Sequence, residues 1–293
     1  MGIERFAEEI CERIQGQIKN VKNISVRQVM KNNSVNLTAL VFENELSNMA
    51  PTIYLDGFYR QYEFGTDMNV IVERIAGVYE NSRVDKEVDV SFIRDWNRVK
   101  SMVAYKLINR KRNKQALKNM PHREVLDLEM VCYISLEQGT GSIMINNNLM
   151  EMWGISEDEL VKAAEENTPC LFPLHFGSLK DFCEELSGEE VAEGGRLYVL
   201  TNERKEMGAA VMLYPDSLKN IAEELKTDFY IIPSSIHETL ILPRTVESEV
   251  EVKELTNIIH TINLSALDPE EILGDWVYLY DWETQKVSVL ERQ

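Results

Sequence analysis

Residues Gly208 to Pro243 read GAAVMLYPDSLKNIAEELKTDFYIIPSSIHETLILP, and this stretch sets the fold class. Ala209 to Leu213 is a short apolar run, expected as a strand. Tyr214-Pro215 then opens a helix, because proline fits a first helical position where no amide bond is lost. Leu218, Ile221, Ala222 and Leu225 give that helix one apolar face. Phe229 to Ile232 is a second apolar run, and Leu240 to Leu242 a third. The pattern predicts a strand–helix–strand unit, with Ala209–Leu213 and Phe229–Ile232 in one sheet and a helix from Pro215 to Lys226 between them.

The C-terminal part continues with Leu197 to Leu200 as a strand and a helix near Glu247 to Ile262. Asp268-Pro269 caps a turn, and a hairpin from Trp276 to Leu290 follows. At the other end, Ile3, Phe6, Ala7, Ile10, Ile14 and Ile18 recur at helical spacing. Ile24 to Met30 and Val35 to Phe42 then read as a hairpin, with Asn32-Asn33 at its turn because asparagine tolerates positive φ. Met68 to Tyr79 is a further helix. In the middle, Phe92 to Val99 is helix-like, Met102 to Ile108 a strand, Asn113 to Leu117 a short helix and Val125 to Leu136 a central strand. Gly139-Thr140-Gly141-Ser142 lacks the Lys-Ser/Thr of a phosphate loop and is expected as a hairpin turn. Ser156 and Glu159 form a capping box, with Ile155 and Leu160 at staple spacing, and Pro169 is expected to stop that helix. Ser178 and Asp181 start another in the same way.

The fold class is therefore α+β: mixed sheets with flanking helices, an N-terminal helix plus β-hairpin, and a C-terminal strand–helix–strand unit. The acidic, glycine-bearing run Gly188 to Gly195 marks the expected boundary between residues 1–187 and 196–293, packed as one integrated unit.

At 293 residues, with 44% hydrophobic and 27% charged, the chain can bury a large core. No apolar run approaches the roughly 20 residues that span a bilayer. Glu4, Glu8, Glu9 and Glu12 are unlike the basic start of a signal peptide, so a cytoplasmic setting is expected. Cys11, Cys132, Cys170 and Cys183 are scattered and suit reduced thiols. The spacing of Cys170, His175 and Cys183 matches no zinc pattern, and neither a metal nor a cofactor is expected.

The net charge of −18 argues against nucleic acid and anionic membrane as partners. It is unevenly spread. Arg94 to Arg123 holds ten cations and one acid, whereas Glu151 to Gly195 holds twelve acids and two lysines. Arg98, Lys106, Arg110, Lys111, Arg112 and Lys114 are candidates for a positive surface. Such a surface would orient an acidic protein partner, or a second copy of the chain through acidic/basic complementarity. The alternative is that these cations neutralise acids within the fold.

Chemistry concentrates in Ser234, Ser235, His237 and Glu238, with Asn202 and Tyr214 as candidates to join them. If the chain turned helical after Ile232, Ser234 would face His237 and Glu238 one turn on. That face would bind a small polar ligand, or activate a serine through the imidazole. Ser235-x-x-Glu238 is also a capping-box pattern, so the same residues would serve as a helix start. No G-x-S-x-G or H-E-x-x-H is present. Three functions follow from these features: a non-catalytic binding or regulatory protein, a small-substrate hydrolase using Ser234 or Ser235 with His237, or an acidic decoy presenting carboxylates in place of phosphates.

Several stretches carry a wider resemblance: Tyr105 to Asn109, Asn146 to Gly154, Glu166 to Pro169, Leu197 to Asn202, Gly208 to Pro243 and Pro269 to Leu273. On these the chain resembles an uncharacterised family of clostridial proteins, a domain of unknown function often seen in mobile-element neighbourhoods. It also looks distantly like a second Firmicutes family with a similar C-terminal half. The resemblance implies a bacterial cytosolic protein and one integrated architecture. It implies no activity, cofactor or catalytic residue.

Overall fold

A computed structural model describes all residues except 20, 137–140, 188–196, 234, 245–251, 266 and 291–293. The chain forms two compact units, Met1–Ser91 and Phe92–Gln293. It is α+β, as its sequence pattern predicts, and every strand pairing among the described residues is antiparallel. No helix among those residues is long and apolar enough to cross a membrane.

The first unit packs helices on a three-stranded sheet. α1 (Ile3–Gln15) buries Phe6, Ala7, Ile10 and Ile14, the stripe that its periodicity predicts. β1 (Val21–Met30) and β2 (Asn36–Asn44) form the expected hairpin. A single 3₁₀ turn joins them, with Asn33 at φ 60°. β3 (Thr52–Tyr54) adds to the far side of β2. α2 (Asp56–Glu63) and α3 (Met68–Ser82) complete the layer. Asp67 accepts the Asn69 amide and starts α3. Ile71, Val72, Ile75 and Tyr79 then meet α1 and β2 in one core.

The second unit holds two sheets. α4 (Trp96–Val99) leads into β4 (Val103–Asn109), then α5 (Lys114–Leu117), β5 (His122–Val125), β6 (Leu128–Ser135) and β7 (Ser142–Met144). β6 is central, as predicted, pairing with β4, β5 and β7, and Leu128 through Ile134 are all buried. The β6–β7 pairing is the expected hairpin, although Gly139 and Thr140 lie outside the described residues. α6 (Asn147–Trp153) ends on Gly154 in the left-handed conformation. α7 (Glu157–Leu171) starts where predicted, with Ser156 accepting the Glu159 amide. It does not stop at Pro169, which lies inside its last turn. A proline there removes one helical hydrogen bond, to the Glu165 carbonyl, and the Tyr214 hydroxyl supports the helix end by donating to the Phe172 carbonyl.

The second sheet has the order β13-β12-β10-β11-β9-β8. Its strands are β8 (Leu174–Ser178), β9 (Tyr198–Asn202), β10 (Phe229–Ile232), β11 (Thr239–Pro243), β12 (Val277–Asp281) and β13 (Lys286–Leu290). α8 (Leu179–Ser187), α9 (Ser217–Leu225) and α10 (Val252–Ser265) lie between them in sequence. Ser178 caps α8 as predicted, accepting the Asp181 amide. The acidic run at 188–195 and the predicted start of the last helix at Glu247 fall outside the described residues. Buried residues from both sides of that run share one core, from Val99 to Tyr280.

One predicted strand is corrected. Gly208–Leu213 is a buried 3₁₀ helix, so Ala209–Leu213 does not join Phe229–Ile232 in a sheet. The reason is topological: β10 already has β12 and β11 as neighbours, and β9 has β11 and β8. Neither side of Phe229–Ile232 is therefore open to residues 209–213. The strand that precedes α9 is instead β9. It and β10 both run antiparallel to β11, so they are parallel to each other with β11 between them. α9 also begins at Ser217, two residues past Pro215, because Asp216 takes a positive φ of 57°. Leu218, Ile221 and Ala222 are buried as its periodicity predicts.

Candidate functional site

Ser235 to Glu238 do not turn helical. They lie between β10 and β11, with Ser235 bridged to Ile272. The serine half of the capping-box pattern forms there nonetheless, while the Ser235 amide donates to the Glu238 carbonyl and not to its side chain. Ser235 Oγ accepts the amides of His237 (3.0 Å) and Glu238 (3.3 Å) and donates to Glu238 Oε1 at 2.6 Å. The local geometry that starts a helix closes a hairpin loop instead, because β11 must return along β10. Ser235 is 1% exposed. Ser234 lies outside the described residues.

His237 ties this loop to the segment entering the 3₁₀ helix. Its Nδ1 accepts the Met207 amide at 3.2 Å, so in the neutral ring the proton sits on Nε2. Nε2 is 3.6 Å from Glu271 Oε1. The His237 carbonyl accepts from Thr201 Oγ1 at 2.7 Å. Gly208 is pressed into this junction so closely that an added Cβ would lie 2.1 Å from Thr201 Oγ1 and 2.5 Å from the His237 carbonyl oxygen. Asn202 joins from the end of β9. Its Oδ1 accepts the Arg204 amide at 3.0 Å and its Nδ2 donates to the Glu206 carbonyl at 2.8 Å. These residues hold backbone, and the imidazole and hydroxyl are each engaged in that task.

Tyr214 is elsewhere. Its hydroxyl donates to the Phe172 carbonyl at 2.8 Å, and its ring meets Tyr105 edge-on at 6.3 Å. Burial holds its hydroxyl well above the usual tyrosine range. Tyr214 belongs to a second place, an open groove of about 780 Å³ between α7 and α9. Glu165, Glu166 and Pro169 form one wall, Tyr214, Pro215 and Ser217 the other, and Leu174 of β8 borders it. Nothing local in the sequence announces this groove. Its walls are some fifty residues apart in the chain, and the prolines at its rim are the one visible signal. Glu271, Met207 and Thr201 were likewise outside the predicted cluster.

The basic stretch is largely drawn into the fold. Arg110 donates to Glu124 at 2.6 Å, lies 2.8 Å from buried Glu129, and donates to the Leu126 and Leu128 carbonyls. Arg112 pairs with Asp275 at 3.3 Å. Lys106 lies over the Tyr133 ring and Lys111 over Trp276. Arg98 and Lys114 are exposed and make no ion pair among the described residues.

No curated protein and no solved structure matches the chain. A family model does match it, over residues 3–282, which is nearly its whole length and takes in both units, the His237 loop and the α7–α9 groove. The chain therefore belongs to the family of unknown function DUF5688.

Proposed function

We propose that the protein is a non-catalytic binding or regulatory protein, cytoplasmic and bacterial, and linked to mobile elements, with the α7–α9 groove as its binding site. One observation carries the choice of binding over hydrolysis. Ser235 Oγ donates a hydrogen bond to Glu238 Oε1 and accepts from two amides, while His237 Nδ1 accepts from the Met207 amide. A serine nucleophile needs a base within hydrogen-bond reach that is free to take its proton. At Ser235 the hydroxyl hydrogen is directed to Glu238 and not to the imidazole, and His237 Nδ1 is occupied by a backbone amide. The groove, by contrast, is open and combines carboxylates with apolar rings, the mixture by which binding sites orient a ligand. The bacterial and mobile-element parts of the proposal rest on the resemblance carried by the stretches between Tyr105 and Leu273, of which Gly208–Pro243 is the most specific.

The test is affinity capture from the native host by the full chain, with mass spectrometry of captured proteins and small molecules. A fluorophosphonate probe, which labels activated serines, is run beside it. Capture that is weakened by groove substitutions, with no labelling, is the expected result. Labelling at Ser234 or Ser235 that depends on His237 would overturn the proposal in favour of the hydrolase.

A further inference from the structure

β8 is an edge strand of the second sheet, paired on one side by β9. The register fixes which backbone groups are used. The Glu203 amide donates to the Pro173 carbonyl, and the Leu179 amide to the Leu197 carbonyl. Odd-numbered residues of β8 therefore exchange bonds with β9, and even-numbered ones face away. The N–H and C=O groups of Leu174 and Phe176 point to the open edge and have no partner among the described residues. The following helix does not close this edge by the contact it shows: Phe182 of α8 meets His175 ring to ring, on a face of the strand. A free row of amides and carbonyls is a template for another strand.

Leu174, the first residue of β8, also borders the α7–α9 groove and is 40% exposed. The groove is acidic on balance, with Glu165 and Glu166 set against one cation, Lys162. Glu165 and Glu166 are exposed and make no ion pair among the described residues. They stand near the C-terminal end of α7, the negative pole of the helix, where Pro169 leaves the Glu165 carbonyl without its helical donor. On the other wall, Ser217 is 3% exposed and its hydroxyl has no partner among the described residues. A buried hydroxyl without a partner is uncommon in a finished structure.

We infer that β8 and the α7–α9 groove together take one ligand: an extended peptide segment that pairs with the edge of β8 and places a lysine or arginine against Glu165 and Glu166. The main chain supplies the pairing, and the carboxylates supply the preference among sequences, as in other strand-addition sites. This inference rests on the binding reading above and names its partner class.

The experiment uses a library of hexapeptides blocked at both ends, selected on the immobilised full chain. Enrichment of one lysine or arginine among alternating β-branched residues is expected. Glu165→Gln with Glu166→Gln should weaken a selected peptide about fivefold at low salt, the size of an exposed ion pair, and less at high salt. Leu174→Pro removes one outward amide at a position where an edge strand tolerates proline, and should weaken every selected peptide about fivefold. Should Leu174→Pro disturb folding, N-methylating alternate amides of the peptide makes the same cut from the ligand side and should abolish binding. Selection without basic residues, or selected peptides indifferent to the carboxylate variants and to N-methylation, would overturn the inference. A host partner that is captured equally well by those variants would sink the peptide site and leave the binding reading standing. Capture of nothing by any form would sink both.

Discussion

The Met207 amide donates to Nδ1 of His237 across 3.2 Å, and this bond joins the β10–β11 loop to the segment entering the 3₁₀ helix. His237→Ala should leave that amide without an acceptor at a half-buried position. The expected loss is about 1 kcal/mol. His237→Asn can present an oxygen near the same place and should recover part of it. Urea unfolding of the three proteins checks this, read as a shift in midpoint at constant slope. Equal stability of wild type and His237→Ala would show that the bond contributes nothing.

Ser235 is the stronger anchor, because one hydroxyl organises two amides and a carboxylate. Ser235→Ala should cost about 2 kcal/mol, since two buried-side donors lose their acceptor together. The same unfolding series measures it. A loss smaller than that of His237→Ala would make His237 the stronger anchor of the two.

Gly208 is required for space and not for backbone freedom. A methyl group there would fall 2.1 Å from Thr201 Oγ1 and 2.8 Å from the Asn202 amide nitrogen. Overpacking of this kind typically costs about 1–3 kcal/mol, and backbone atoms cannot rotate away as a side chain would. Gly208→Ala should therefore lose about 3 kcal/mol or fail to accumulate as folded protein. Thr201→Ala removes the nearest clash and should restore part of the loss. A fully stable Gly208→Ala variant would mean that β9 and the loop separate easily.

Arg110 neutralises Glu129, which is 5% exposed. Removing one partner of a buried pair strands the other charge, at about 3–5 kcal/mol in fully buried cases. Arg110 is partly solvated, so Arg110→Ala should cost about 2–3 kcal/mol. Glu129→Gln in the same chain should return much of that, because the stranded charge is gone. Thermal unfolding of the single and double variants distinguishes this from simple loss of the arginine's packing, which the second substitution would not repair.

Alkaline pH should unfold the second unit. Burial pushes the Cys132 thiol up to about 12, and it holds the Tyr105 and Tyr133 hydroxyls above their usual range. Burial, with Asp127 adding its charge, does the same for Tyr278. All four favour the protonated form when folded. Their contribution is complete below the unfolded thiol value of 9.0 and is lost as pH rises through the folded values. Tyrosinate absorbance should therefore lag behind that of free tyrosine and then rise together with loss of circular dichroism. In the native protein at mildly alkaline pH, iodoacetamide should modify exposed Cys170 and spare Cys132. Comparable modification of both would contradict this.

Much of the fold was legible because short-range rules decide it. The α1 stripe, the Asn33 turn, the Ser156 cap and the β6 core strand each follow from spacing or local chemistry. Ala209–Leu213 was not, because a short buried apolar run fits a helix as well as a strand. What decided it was the occupancy of the strands' other edges, a property of distant residues. Pro169 misled for a related reason: its cost depends on how much helix remains beyond it, and here less than one turn does. The Ser235–Glu238 pattern did specify the bond from the Glu238 amide to the serine hydroxyl, but the chain around it determined whether a helix or a hairpin would use it. The α7–α9 groove left almost no trace, since its two walls meet only after folding.

β11 lies between β9 and β10, although β9 is made first and β11 last. During synthesis β9 can meet β8 on one side, but its other side stays open until Pro243 has left the ribosome. β10 and β11 can zip together locally, because the Ser235–Glu238 loop is short. β9 must then dock on a hairpin already formed, a non-local step of the kind that slows folding. Through that interval an apolar strand with an unpaired edge is open to other nascent chains, so the order of synthesis and the order of the sheet are at odds, and the chain's yield should respond to how quickly residues 203–243 are translated.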